Sequence, residues 1–249
     1  MTAPPITRRL PGTLLLTAAL LAAVAEPAQA SVDFSNTGVL AGWDIATQRQ
    51  GTVTEVGSPV YKGTKALRAR QIYETSDGNR YHAEAIERGL FVNGQDRYYG
   101  QAVYIPSDWQ YHDQDVVIQQ WATETPASPW LGMNITGDKL VYDKVRGSGQ
   151  IRQAFADMPR GRWVRIVTRL KMTGSGILEI WVDGVKKVSQ TGDWSTSWNG
   201  SPSIRWSTGI YAGAWSTQPP KGQSDLSVYH DSLRIATTYA EADPANWSG

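Results

Sequence analysis

Residues 163–171 read W-V-R-I-V-T-R-L-K, and residues 176–184 read G-I-L-E-I-W-V-D-G. Both runs are rich in β-branched and aromatic residues, which favour pleated strands. A glycine and serine turn separates the two runs, and Asp183-Gly184 is a residue pair that favours a tight hairpin. This stretch therefore predicts consecutive antiparallel strands, and the same pattern recurs on both sides of it.

Short alternating or β-branched runs continue along the chain, with Gly, Asn, Asp and Pro between them. No apolar stripe of helical period and useful length interrupts them, so the pattern is typical of an all-β sandwich. One longer segment, residues 145–159, is predicted to be a loop at the rim of a cleft. The predicted strands are residues 51–56, 66–71, 81–87, 98–105, 116–123, 131–135, 139–144, 163–171, 176–182, 186–190, 203–211 and 226–236.

The first thirty residues predict an export signal. Arg8 and Arg9 precede an apolar run at residues 14–25, and Ala28-Gln29-Ala30 provides the small residues of a cleavage site. The apolar run is shorter than the roughly 20 residues that a membrane-spanning helix needs. We therefore expect a secreted, extracellular protein in which residues 31–249 form one β domain.

Charge and cysteine content narrow the classes of partner. The chain has 24 basic and 23 acidic residues, and removal of Arg8, Arg9 and Glu26 with the export signal leaves 22 of each. A neutral chain argues against capture of nucleic acid or anionic membrane by bulk charge, so a polyanion would have to be held by local cations. Cysteine is absent, so an exported chain must be stabilised by its core rather than by disulfides. We also expect the protein to be a monomer.

Two clusters of polar residues interrupt the apolar patterns. Strand alternation places Arg80, His82 and Glu84 on one face of a strand, away from the apolar residues between them; a solvated strand face would give the same pattern. In D-V-V-I-Q-Q-W at residues 115–121, the adjacent amides Gln119 and Gln120 stand where core residues are expected. Amides cost free energy when buried without partners. One of them therefore lines something polar or bonds a loop, and periodicity cannot say which.

The order of the chain's motifs is more specific than any one motif. The runs R-Y-H-A-E, Y-Y-G-Q-A-V-Y-I-P-S-D-W, V-V-I-Q-Q-W, W-V-D-G, S-T-G-I-Y-A-G-A-W and V-Y-H-D-S-L-R-I-A follow one another. Together they resemble polysaccharide lyases of the glucuronan lyase and heparin lyase I type over nearly all of residues 31–249. The W-V-D-G hairpin is similar to the back sheet of concanavalin-like proteins. The resemblance implies a concanavalin-like β-jelly roll of two antiparallel sheets with an open cleft.

The resemblance also implies site residues. A histidine, an amide and a tyrosine line the cleft of that family, and carried onto this chain they are His82, Gln120 and Tyr229, with Gln119 as the alternative amide. Trp121 stands where the related alginate lyases have a histidine, which favours glucuronan over alginate. The residues suited to contact the substrate are Arg80, Arg146, Tyr211 and Trp215, because arginine can pair with uronate carboxylates and aromatic rings can stack on sugars.

These residue types fit β-elimination on a β-1,4-linked polyuronate. Hydrogen bonds from Gln120, helped by Arg80, would neutralise the C5 carboxylate and make H5 easier to remove. Either His82 or Tyr229 would take H5, and Tyr229 would protonate the leaving O4. In glucuronate H5 and O4 lie on the same side of the ring, so one tyrosine could serve both steps.

A metal and two rival functions complete the expectations. The resemblance to jelly rolls implies a structural calcium held by Asp33, the carbonyl of Gly63 and Asp231, with all-oxygen ligands; no organic cofactor is expected. A glycoside hydrolase would need paired carboxylates such as E-x-D-x-x-E, which the chain lacks. A non-catalytic carbohydrate-binding jelly roll is the stronger rival, because it needs only the sandwich and its aromatic residues.

Overall fold

The structure is a computed structural model that describes Met1 and residues 30–92, 94–124, 127–144, 150–194 and 203–247. The predicted export signal lies almost entirely outside the described residues, and so does Arg146. No helix among the described residues has the length and apolar character that crossing a bilayer requires.

Two antiparallel sheets face each other and confirm the all-β prediction. The back sheet has the strand order β13-β12-β11-β6-β15-β4-β3, with β1 also paired to β15, and the front sheet has the order β10-β9-β8-β7-β14-β5-β2. The strands are β1 Val32–Asn36, β2 Asp44–Thr47, β3 Thr52–Val56, β4 Ala66–Ile72, β5 His82–Val92, β6 Asp96–Tyr104, β7 Val116–Glu124, β8 Ala127–Thr136, β9 Lys139–Lys144, β10 Ile151–Asp157, β11 Trp163–Lys171, β12 Gly176–Val182, β13 Val185–Gly192, β14 Ser203–Tyr211 and β15 Asp225–Ala236.

The hydrophobic core fills the space between the sheets. Tyr99 of the back sheet packs edge to face against Trp121 and Trp206 of the front sheet, with ring centroids 5.2 and 5.6 Å apart. All three side chains are almost fully buried. Large aromatic side chains remove about 150–250 Å² of surface each from water. These aromatic side chains therefore fill the core between the two sheets.

A polar cluster crosses the core beneath the front sheet. His230 of β15 lies between Gly209, whose carbonyl accepts from Nε2 at 3.0 Å, and the Thr208 hydroxyl, 2.8 Å from Nδ1. Burial lowers the pKa of His230 to about 4, so the imidazole is neutral at pH 7. These bonds join the back sheet to the middle of β14.

The segment at residues 145–159 differs from its prediction. Residues 151–157 form β10, which pairs with β9 at the edge of the front sheet, so the predicted loop is wrong over this part. The reason is that Ile151 and Phe155 are partly buried against the core. A register shift between Ala154 and Ala156 interrupts the alternation of apolar and polar residues on which the strand prediction depends.

The C-terminal segment closes over the back sheet. Helix α1, Tyr239–Ala242, begins after Thr238, whose side chain accepts a hydrogen bond from the Glu241 backbone amide. Capping of this kind satisfies an amide that the first helical turn leaves without a partner. Ala242 packs on the outer face of the back sheet, so close to Gly100 that no side chain would fit at that position. This segment therefore covers part of the outer face of the back sheet.

Candidate active site

The candidate site is a groove on the outer face of the front sheet. Its cavity has a volume of about 420 Å³. Gln120 of β7 and Tyr211 of β14 line it at the centre of the sheet. The other lining residues come from β7, β8, β9 and the segments that precede β7 and follow β14: Asp113, Gln114, Asp115, Val117, Gly132, Asn134, Asp143, Gly213, Ala214, Gln218 and Lys221.

Strand register brings His82 into the same site. On β5, His82 pairs with Tyr211 and Glu84 pairs with Gly209. Residues opposite each other in an antiparallel pair point to the same side of the sheet, so His82, Glu84 and Tyr211 share the groove face. Tyr81 and Ala83 are fully buried on the other face. The alternation predicted for this strand is confirmed.

Register also separates the two adjacent amides of β7. Gln120 lies opposite Ser207 and Gly132 and points into the groove. Gln119 lies opposite Thr208 and points into the core, where its side chain has no hydrogen-bond partner among the described residues. Gln120 is therefore the amide that a ligand in the groove can reach.

Glu84 connects the groove residues of two strands. Its Oε1 accepts a hydrogen bond from Gln120 Nε2 at 2.5 Å, and its Oε2 lies 3.5 Å from His82 Nδ1. Burial raises the pKa of Glu84 to about 7, although the Gln120 hydrogen bond and the charges of Arg205 and Arg80 oppose the shift. A carboxyl group that is only partly ionised at neutral pH thus lies in the floor of the groove.

The His82 ring lies between Glu84 and the edge strand β2. Its Nδ1 faces Glu84, and the backbone of Ala46 on β2 acts on the ring electrostatically. Burial and the positive charge of Arg80 lower the pKa of His82. His82 is therefore neutral at pH 7, and its ring is held edge-on to Tyr211, with ring centroids 6.1 Å apart.

Tyr229 is not in this groove. It belongs to β15 in the back sheet, where its ring packs edge to face against Tyr104 at 5.7 Å. It lines a separate cavity of about 470 Å³ together with Arg68 and Ser227. The prediction that Tyr229 meets His82 and Gln120 is therefore wrong, because the last strand pairs with β4 and β6. The tyrosine that the front sheet brings to the groove is Tyr211.

One predicted substrate contact is also wrong. Trp215 is 1% exposed and packs against Tyr73 and Tyr81, with centroids 5.8 and 5.6 Å apart. A side chain buried in this way supports the short 3-10 helix Gly213–Ser216 from below and cannot stack on a sugar. Arg80, in contrast, is exposed just before β5, as a substrate contact requires.

A cation that the sequence reasoning missed lies on the groove face. Arg205 has the same orientation on β14 as Ser207 and Tyr211. Its side chain forms no ion pair within 4.0 Å among the described residues, and its Nε is buried without a hydrogen-bond partner there. Burial lowers the pKa of Arg205, and Glu84 opposes the shift. Arginine keeps its charge even when its pKa falls, so Arg205 offers an uncompensated positive charge.

Two cations on the opposite side of the groove are neutralised in place. Arg152 pairs with Asp115 and Asp143, and Lys221 pairs with Asp113. Free positive charge is therefore concentrated at the β5–β14 side of the groove. An anionic ligand would be bound most strongly there.

The predicted calcium ligands do not come together. Asp33 pairs with Arg97, and the β1–β15 register places it beside Ile235, about four residues or roughly 13 Å along the strand from Asp231. The Asp231 carboxylate accepts backbone hydrogen bonds from residues 61, 62 and 232, while Gly63 lies in the turn just after. The described residues contain no group of three or more metal-binding side chains. The structure thus does not bring Asp33 to Asp231, and a structural calcium stays a prediction.

Comparisons with known proteins identify a matching family and a matching fold. A family model described as polysaccharide lyase matches residues 35–234. The fold superposes on an endo-β-1,4-glucuronan lyase from the fungus Trichoderma reesei with a TM-score of 0.78 and 28% identity, covering 87% of this chain and 100% of that one. The fold is therefore that of a jelly-roll lyase.

More distant structures share the architecture alone. They include the cellulose-induced protein Cip1, with TM-score 0.56, 14% identity and coverage of 79% and 91%, and a carbohydrate esterase of the Shiga toxin-encoding bacteriophage phi24B, with TM-score 0.54, 12% identity and coverage of 84% and 99%. No curated protein sequence matches the chain.

Proposed function

The chain belongs to the polysaccharide lyase family, and we propose that it cleaves β-1,4-linked glucuronan within the chain by β-elimination, leaving 4,5-unsaturated uronate ends. The observation that carries this proposal is the convergence of Gln120, Arg205 and Tyr211 on one face of the front sheet. The likeness to a fungal endo-β-1,4-glucuronan lyase over that protein's whole length supports the choice of polymer.

Gln120 and Arg205 would neutralise the substrate carboxylate. The Gln120 amide has two N–H groups, and Glu84 accepts only one of them, so the other is available to the uronate. Arg205 supplies the charge that an acidic sugar requires and has no competing carboxylate within 4.0 Å among the described residues. Donors aimed at the carboxylate become more valuable as charge develops there, so they lower the barrier to removal of H5.

Tyr211 would carry the proton transfers. As a phenolate it takes H5, the C5–H electron pair forms the C4–C5 double bond, and the C4–O4 bond breaks. Tyr211 then gives the same proton to O4, so it ends in the form in which it began. We favour Tyr211 over His82 as the base, because His82 Nδ1 faces Glu84 rather than the groove, whereas Tyr211 lines the groove.

We also propose the setting in which the enzyme acts. The Arg8-Arg9 pair, the apolar run and the Ala28-Gln29-Ala30 site would direct export, so the mature chain would act on polysaccharide outside the cell as a monomer, with no organic cofactor. The near-neutral mature chain supports a substrate held by local cations such as Arg205 rather than by bulk charge.

The proposed activity can be tested directly with polyglucuronate. We expect a rise in ultraviolet absorbance from the new C4–C5 double bond, together with an early fall in viscosity because cleavage occurs within the chain. Alginate and heparin serve as comparison substrates and should give slower reactions. New reducing ends without the absorbance would mean hydrolysis. Binding of the polymer with neither signal would mean that the protein is a carbohydrate-binding module.

Replacement of Arg205 by alanine is expected to raise KM and to lower kcat/KM about 10- to 100-fold, since a charge-assisted contact to the substrate contributes about 1.5–3 kcal/mol. The remaining activity should also depend less on salt, because a charge is lost from the groove. Initial rates at low and high salt measure both effects.

The matched control for this substitution is Arg162→Ala. Arg162 pairs with Asp183 in the turn between β12 and β13, in the back sheet. This variant should keep the kinetics and the salt dependence of the unaltered enzyme. Equal losses in both variants would contradict a specific role for Arg205.

A further inference from the structure

Glu84 is the one carboxyl group in the floor of the groove at the junction of β5, β7 and β14, among the residues described. Its side chain is 8% exposed, and its only charged or chargeable partner within 4.0 Å among these residues is His82. Two arginines, Arg80 just before β5 and Arg205 of β14, lie farther away but act on it electrostatically. The elimination proposed above uses Gln120, Arg205 and Tyr211 and leaves Glu84 without a role.

We propose that Glu84 is a positioning residue that works as the neutral acid, holding the Gln120 amide so that its second N–H points at the substrate carboxylate. This inference rests on the proposed elimination and adds to it a requirement for one proton. Glu84 itself does not have to touch the sugar.

The hydrogen-bond geometry around Glu84 accommodates the neutral acid. Gln120 Nε2 donates to Glu84 Oε1, which can be the carbonyl oxygen of a protonated carboxyl group. The other oxygen then carries the proton and lies 3.5 Å from His82 Nδ1, a buried nitrogen that otherwise has no hydrogen-bond partner among the described residues. A protonated Glu84 would thus give Nδ1 the hydrogen-bond donor that this nitrogen lacks.

Electrostatics favour the neutral form of Glu84. An ionised Glu84 would place a negative charge next to Gln120, where the uronate carboxylate has to sit, and like charges at such distances repel. The groups that face Glu84 from the packed elements are His82 and Arg80 near or on β5, Gln120 on β7, Arg205 on β14 and the Ala46 backbone on β2. Burial outweighs the arginines and raises the pKa of Glu84 to about 7.

The sign of the pH effect follows. The working form of Glu84 is protonated and is lost as pH rises through its pKa, so above roughly pH 7 this residue alone should lower kcat/KM about tenfold per pH unit. Glu84→Gln keeps an acceptor for Gln120 and a donor for His82 but cannot ionise. Because both enzymes need the same ionised Tyr211, the ratio of their kcat/KM values isolates the effect of Glu84. The ratio of unaltered enzyme to variant should be near one at pH 6 and should fall about tenfold per pH unit between pH 7 and pH 9.

Glu84→Ala tests whether Glu84 holds the Gln120 amide in position. Without the acceptor the Gln120 amide is free to turn, and misplacement of this kind costs up to about 10²-fold in rate. We expect this variant to lose that factor at every pH while keeping its fold by circular dichroism. The proposal would be overturned by an alanine variant as active as the unaltered enzyme, by an inactive Glu84→Gln variant, or by a ratio of kcat/KM between unaltered enzyme and Glu84→Gln that does not change with pH.

A second measurement is independent of activity. Infrared difference spectra between the unaltered enzyme and Glu84→Gln should show the carbonyl stretch of one protonated carboxyl group at pH 6 and its loss by pH 9. If polyglucuronate is not cleaved at all, the proposed function fails, yet the spectra still decide whether Glu84 holds a proton. A carboxylate band at pH 6 would overturn the inference even in an active lyase.

Discussion

Replacement of Tyr211 by phenylalanine is expected to abolish elimination, with kcat lowered by about 10²- to 10⁴-fold, the range that general acid–base groups contribute. Phenylalanine keeps the ring, and so keeps its edge-to-face contact with His82. Only the oxygen that takes H5 and protonates O4 is lost. The rate of formation of unsaturated uronate ends measures the effect, and KM should change little because the carboxylate is held by other residues.

Tyr229→Phe is the matched control for this experiment. It removes the same oxygen from a tyrosine of the back sheet, which packs against Tyr104 and lines the separate cavity. This variant should turn over at the rate of the unaltered enzyme. If Tyr229→Phe were inactive and Tyr211→Phe active, the groove would not be the catalytic site, and the chemistry would belong to the other face of the sandwich.

The two tyrosines show how far the sequence can go. Period-two alternation tells which residues of a strand share a face, and on β5 it correctly separated His82 and Glu84 from Tyr81 and Ala83. It does not tell to which sheet a strand belongs. That depends on long-range pairing, and β15 is added to the back sheet between β6 and β4. A tyrosine on the last strand could therefore not be placed in the groove from its local pattern.

Arg205 was missed although its strand carried a signal. Along β14 the large residues Ile204, Trp206 and Ile210 are buried in the core, whereas the intervening positions carry Arg205 and Tyr211. Alternation of large apolar residues with small or polar ones is the pattern of a strand with one face on a groove. The tyrosine was recognised from its motif, and the arginine six residues earlier on the same face could have been found by counting back in twos.

The adjacent amides of β7 raise a different difficulty. Val117 and Ile118 are both apolar, yet Ile118 is in the core and Val117 lines the groove. With apolar residues on both faces, the sequence has no polarity contrast by which to orient Gln119 and Gln120. Only the register with β14 and β8 decides, and it also brings Gln119 to a position where an amide gains no hydrogen bond among the described residues.

The same difference between neighbours makes the amide assignment testable. Gln120→Leu removes the donor to the substrate carboxylate while keeping a similar volume, and it should lower kcat about 10²- to 10³-fold, the usual cost of losing one donor that stabilises developing negative charge. Steady-state kinetics on polyglucuronate measure the loss. It should exceed the change in KM, because the contact strengthens as the carboxylate gains charge.

Gln119→Leu provides the control one residue away. It replaces a buried amide that has no hydrogen-bond partner among the described residues by an apolar side chain of similar size, a change that is neutral or stabilising when polar atoms are unsatisfied. We expect an unchanged kcat and an equal or higher melting temperature. Loss of turnover in Gln119→Leu with full activity in Gln120→Leu would reverse the orientation of β7. Full activity in both variants would mean that neither amide stabilises the developing charge, and the carboxylate would then have to be neutralised by Arg205 and Arg80.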